Sequence, residues 1–149
     1  MMKRLFTLAI VIGAAMALPS LSFASQITVP AIGLHSSVGN VLDNGPMWVW
    51  HSRPGDGRTL WIAGHRTTHS HPFYSIDKLK KGDKIYVKDG GKAFRYVVTA
   101  SRVVPASYRY VPRQTESLML SACARWDGTP TSANYRIVVF AKLDALSAK

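Results

Sequence analysis

Carboxylates and thiols are what this sequence has least of: 8 Asp and Glu stand against 19 Lys and Arg, with a single cysteine, in 149 residues. Few carboxylates argue against an all-oxygen cage for a hard cation. One cysteine excludes an intramolecular disulfide framework and any cysteine-rich zinc site. Apolar periodicity of helical spacing is sustained nowhere, which excludes a helical bundle. Internal repeats, low-complexity linkers and a second domain are missing as well. What is plentiful is apolar and basic: 47% hydrophobic residues, Trp 4, Tyr 6 and Phe 5, and a formal net charge of +11. That composition supports one buried core and excludes wholesale disorder. The charge gives a surface that attracts anionic polymers or membranes without specificity.

The amino terminus has the form of an export signal. Lys3 and Arg4 precede an uncharged apolar run over residues 5–18, Pro19 breaks it, and Ser22-Phe23-Ala24 resembles a small-x-small cleavage site. The run is short for a bilayer span, which wants about 20 residues, so cleavage is favoured over a permanent anchor. Residues 1–24 are therefore expected to be a signal peptide and residues 25–149 the folded domain, exported to the cell surface, near the membrane or secreted. Removing Lys3 and Arg4 leaves the basic excess in the folded part. In an oxidising compartment the lone Cys123 is either a buried filler or exposed for chemistry. An exported chain with no recognisable reader module is not expected to bind nucleic acid.

Beyond the signal, short runs rich in β-branched and aromatic residues alternate with turn residues, the pattern of an all-β sandwich or barrel. Strands are predicted over residues 26–29, 60–63, 84–87, 94–104, 118–122 and 135–142. Turns are marked by Asp43-Asn44-Gly45-Pro46, Pro54-Gly55-Asp56-Gly57, Lys81-Gly82-Asp83, Asp89-Gly90-Gly91 and Asp127-Gly128-Thr129-Pro130. Phe73, Ile76 and Leu79 recur at helix-like spacing, so one or two helical turns are predicted over residues 73–79, ending before Gly82. Lys78, Lys80, Lys81, Lys84 and Lys88 read as solvated protection of a sheet edge.

Three polar residues fall at predicted strand ends, where a side chain is anchored by the sheet yet reaches solvent. Cys123 follows Leu118-Met119-Leu120-Ser121-Ala122, His65 follows Leu60-Trp61-Ile62-Ala63 and Gly64, and Arg136 opens the strand through Ile137 to Phe140. A thiol is a poor nucleophile until a neighbouring cation favours the thiolate. Histidine can protonate a departing amine, and a guanidinium offers a planar fork of donors to an oxyanion. The bland readings are a buried cysteine, a loop histidine and an arginine capping a sheet edge. His35, His51, His69 and His71 read as loop or core residues, and His69 with His71 makes a poor metal site without nearby carboxylates. Arg66 and Arg125 flank the cleft residues as supporting groups or substrate guides. Trp48, Trp50 and Trp61 read as core or cleft walls.

At these residues the chain resembles a sortase, most like the class E sortases. One block is Ala63-Gly64-His65-Arg66-Thr67-Thr68, followed by Pro72-Phe73, Leu79 and Gly82-Asp83. The other joins Leu120-Ser121-Ala122-Cys123 to Ser132-Ala133-Asn134-Tyr135-Arg136-Ile137-Val138-Val139. The resemblance implies a single eight-stranded sortase-like β-barrel with one or two short helices. It implies His65 as proton donor and acceptor, Cys123 as nucleophile and Arg136 as oxyanion stabiliser, with neither cofactor nor metal. The implied substrate is an exported protein carrying a sorting motif of the Leu-Pro-x-Thr-Gly type, and the implied acceptor is an amine of a wall precursor or a pilin lysine. The family commonly has Thr-Leu-x-Thr before its cysteine, where Met119-Leu120-Ser121-Ala122 stands here. Sortases are usually anchored, which sets them apart from the cleavable leader expected here. Two other readings compete. Ser121-Ala122-Cys123-Ala124-Arg125 distantly echoes an L,D-transpeptidase element but lacks its His-Gly, and a noncatalytic basic β module would bind wall polyanions through charge alone.

Overall fold

The computed structural model describes residues 24–131 and 133–148; residues 1–23 of the expected export signal lie outside them. Eight strands build one sheet: β1 (Gln26–Val29), β2 (Leu34–Ser37), β3 (Met47–Trp48), β4 (Thr59–Ala63), β5 (Lys84–Asp89), β6 (Lys92–Pro105), β7 (Ser117–Ala124) and β8 (Tyr135–Ala148). Their order across the sheet is β2-β1-β5-β6-β8-β7-β4-β3. The pairs are antiparallel except β4 with β7, which run parallel. Register shifts in the long β6–β8 ladder, between Arg95 and Tyr96 and between Val98 and Ala100, add the local twist that bulges produce. The sheet curls into the half-barrel of the expected all-β fold. Among the described residues no helix is long and apolar enough to cross a membrane.

Alternation supplies the core. Ile27 and Val29 of β1, Ile85 and Val87 of β5, and Phe94, Tyr96 and Val98 of β6 all turn inward, as the two-residue period of a strand requires. A two-residue loop joins β5 to β6, with Gly90 at φ 56 and Gly91 at φ 80. A tight hairpin needs positive φ at both positions, which only glycine adopts without strain.

The strands predicted from sequence are all present. Two more, β2 and β3, are added at opposite ends of the sheet, where few side chains are buried and little apolar alternation is needed. Residues 73–79 form only a 3₁₀ turn at Ile76–Lys78. Phe73, Ile76 and Leu79 are nonetheless buried, because a three-residue spacing aligns side chains in a 3₁₀ turn. With Pro30–Ile32 and Leu42–Asn44 there are three such turns among the described residues, against the one or two short helices expected. The lysine cluster is exposed, but β5 lies between β1 and β6. Lys84 and Lys88 therefore solvate an outer face rather than protect an edge.

The chain leaves β4 through Gly64, whose N–H donates to the Ser121 carbonyl at 3.1 Å. A Cβ at this glycine would lie 2.7 Å from the fully buried Phe73 ring. Gly64→Ala is therefore expected to cost about 1–3 kcal/mol, the usual range for overpacking. Urea unfolding checks this, and the penalty is expected to shrink in a Phe73→Leu background, where the ring is gone.

Candidate active site

Cys123 and Arg136 lie on the adjacent strands β7 and β8, on the side of the sheet away from the core, and His65 follows the end of β4 by two residues. Leu118, Leu120, Ala122 and Ala124 of β7 and Ile137, Val139 and Ala141 of β8 pack into the core. Their alternates Met119, Ser121, Arg136 and Val138 line a groove on the opposite face, which by strand alternation is also the face of Cys123. Cys123 lies within β7 rather than beyond it, half-buried and without a disulfide partner. Its register partner across the antiparallel ladder is Arg136. On the other flank Ser121 is the partner of Ala63 in the parallel ladder, so β4 ends two residues before His65 at a level two residues before Cys123. Ala122, where the family commonly has threonine, faces the core, so the missing hydroxyl is not lost from the groove.

The groove has a volume of about 120 Å³ and is closed by Trp61 and by Tyr108 and Tyr110 from the β6–β7 connection. The same two tyrosines border a larger cavity of about 580 Å³ that extends to Arg113 and Lys142. Trp61 is fixed by an Nε1–H bond of 2.7 Å to Ser121 Oγ and by the edge of Trp50, 4.7 Å between ring centroids. Trp61 is thus a cleft wall, Trp48 is core at 4% exposure, and Trp50 is exposed.

His65 has a partner that no local sequence pattern announces. Its Nε2 lies 2.8 Å from Oδ1 of Asp43, in the 3₁₀ turn Leu42–Asn44. This hydrogen bond, followed by the charge of His69, holds the Asp43 carboxyl below its ordinary value. With a proton on Nε2, His65 is the donor and the Asp43 carboxylate the acceptor. His69 stacks on His65 with centroids 4.7 Å apart and planes at 20°, and its Nε2 lies 3.6 Å from the same carboxylate oxygen. His71, expected beside His69 if at all, packs against Tyr74 instead. Among the described residues, Asp43, His65 and His69 bring their ligating atoms within 4.8 Å of one another. Neither His35, bonded to Thr28 Oγ1 across β1 and β2, nor the exposed loop residue His51 joins the site.

Arg66 is buried at 1% exposure and ties the site together. Nη1 donates to the carbonyls of Gly128 at 2.7 Å and Cys123 at 3.3 Å. Nη2 donates to the Tyr74 carbonyl at 3.0 Å and to Asp77 Oδ1 at 2.7 Å. Burial pushes the guanidinium below its ordinary value, and Asp77 is the first of the groups that oppose the shift. Arg66 is thus a positioning residue rather than a substrate guide, whereas Arg125 is exposed. Arg136 Nη1 donates to the carbonyls of Ala133 at 2.7 Å and Tyr135 at 2.9 Å, which orients its fork at the mouth of the groove.

A family model described as Sortase domain matches residues 18–144. Sortase SrtE1 of Streptomyces coelicolor is 32% identical over 94 residues, a match that covers 55% of this chain and 25% of that protein. The chain thus spans about a quarter of the length of the curated relative it matches. Among solved structures, sortase E1 from Streptomyces coelicolor with a tripeptide in its active site aligns at TM-score 0.68 and 23% identity, covering 83% of this chain and 88% of that one. A sortase D5 transpeptidase from Clostridium perfringens aligns at TM-score 0.70 and 25% identity, covering 82% and 79%.

Arg66→Ala is expected to destabilise by about 3–5 kcal/mol, because it strands Asp77 and three carbonyls. Arg66→Lys recovers only part of this, since one ammonium cannot span the fork, and denaturant midpoints measure both. Half-burial on the groove face also makes Cys123 accessible. A methanethiosulfonate reagent is expected to label it in the native protein, and labelling only after unfolding would mark it as a core filler.

Proposed function

The chain belongs to the sortase family, whose members are cysteine transpeptidases, and we propose that it works as one on exported proteins, with Cys123, His65 and Arg136 as its catalytic residues. The observation that supports this best is the register. Cys123 and Arg136 face each other across β7 and β8, while the parallel β4 delivers His65 beside them, all next to a groove walled by aromatic side chains. An extended sorting peptide lies along that groove.

In this mechanism the Cys123 thiolate attacks the carbonyl carbon of the scissile amide, and the carbonyl electron pair moves onto oxygen. The oxyanion is met by the Arg136 fork, which is already oriented by two backbone carbonyls. Collapse of the tetrahedral state breaks the C–N bond. Imidazolium His65 gives its Nδ1 proton to the departing amine, leaving a thioester on Cys123. An amine from a wall precursor or a pilin lysine then attacks the thioester. It loses a proton to His65 and releases the thiolate, so the peptide is transferred and the enzyme restored. Water competes for the same thioester. Substrate and acceptor both place the reaction outside the cytoplasm, at the cell surface, in keeping with the export signal read from residues 1–24.

Incubation with a library of sorting peptides, with and without amine acceptors, tests the reading. A covalent adduct on Cys123 whose mass equals the acyl part of one peptide is the expected product. Cys123→Ala and His65→Ala are expected to abolish cleavage with the circular dichroism spectrum unchanged. Arg136→Lys is expected to slow turnover about 10²-fold or more, the usual loss for one oxyanion donor. Cleavage retained in Cys123→Ala would sink the assignment.

A further inference from the structure

His65 sits in a second constellation that acyl transfer does not require. Asp43, His65 and His69 come from a 3₁₀ turn, the end of β4 and the loop after it, and their ligating atoms all lie within 4.8 Å of one another. Both imidazole Nε2 atoms face one carboxylate oxygen, at 2.8 Å from His65 and 3.6 Å from His69. The rings stack with their planes 20° apart. His69 reaches this position at φ 54, a left-handed conformation that non-glycine residues adopt only where the surroundings hold them in it.

From this geometry we infer that Asp43, His65 and His69 form a binding site for a divalent transition-metal ion of the zinc type, and that occupancy silences the transpeptidase. The second half rests on the role given to His65 above. Two imidazoles and one carboxylate suit zinc, whereas calcium and magnesium want oxygen ligands throughout. Three protein ligands leave a coordination position for water, and the site opens to solvent, with Asp43 62% and His69 45% exposed. Binding replaces the Nε2–H bond of His65 by an Nε2–metal bond. The displaced proton goes to solvent from the cationic form, or the ring changes tautomer so that its one proton resides on Nδ1. Either way the ring is held neutral and cannot carry the additional proton that the leaving amine needs. Cys123 lies outside the set, so the ion acts on the proton carrier rather than by capping the thiol.

Zinc chloride titrated calorimetrically into the full folded domain tests the site independently of activity, with cobalt(II) absorbance reporting ligand number and geometry. One equivalent is expected to bind. Affinity is expected to be unchanged in Cys123→Ala and His71→Ala, and to fall on the order of tenfold or more in His69→Ala and in Asp43→Asn. Zinc is expected to inhibit peptide cleavage at the concentration that fills the site. In His69→Ala, with each rate taken relative to its own zinc-free value, that concentration rises by the same factor as the dissociation constant. No binding by the unaltered protein at millimolar zinc overturns the site, as does binding that survives His69→Ala and Asp43→Asn but is lost in Cys123→Ala. Stoichiometric binding that depends on His69 yet leaves cleavage untouched supports the metal site and overturns His65 as the proton carrier.

Discussion

The parallel pairing of β4 with β7 is the constraint on which the site depends. Strand hydrogen bonds fix register to a single residue, and a slip of one would reverse every side chain of β7 between the core and the groove. In the register observed, Ala63 stands opposite Ser121, and one further bond from Gly64 N–H to the Ser121 carbonyl carries the ladder past the strand end. That extra bond fixes where His65 begins. Four buried residues, Leu118, Leu120, Ala122 and Ala124, oppose any shift of β7, because a slip would expose all of them at once. Apolar burial on one side of the sheet therefore places a thiol on the other.

Arg66 adds a second tie of a different kind. It follows His65 in the chain, yet its guanidinium reaches the carbonyl of Cys123, which ties the end of β7 to the segment that leaves β4. The sequence has few carboxylates, and one of them, Asp77, is committed to this buried cation. A buried ion pair gives little net stability compared with an apolar replacement, but breaking one half of it is costly. Such a clamp is better suited to fixing geometry than to raising stability. Gly64 fits the same account, since Phe73 occupies the space where its Cβ would stand.

His65 is a point of convergence for two uses of one imidazole. Asp43 lies 2.8 Å from Nε2 and so fixes the orientation of the ring. His69 adds a third ligating atom within 4.8 Å of the other two. One exposed carboxylate oxygen thus has an imidazole nitrogen on each of two residues, at 2.8 Å from His65 and 3.6 Å from His69.

The sequence by itself determined a good deal. Turn glycines and β-branched runs gave the all-β class and six of the strands, since these depend on local backbone preference and on the two-residue period of burial. The order and spacing of His65, Cys123 and Arg136, with their flanking blocks, identified the family and the three candidate residues. Tertiary structure alone decided the rest. Strands β2 and β3 are held by neighbours rather than by their own composition, and the turn at Ile76–Lys78 has the apolar spacing of a longer helix but not its hydrogen bonds. Asp43 lies 22 residues before His65 in what reads as an ordinary turn. Arg66 reads equally as a supporting group or a substrate guide until the chain wraps it in carbonyls. Contacts between residues far apart in sequence leave no periodicity behind, because they are set by how the sheet curls and not by the neighbours along the chain.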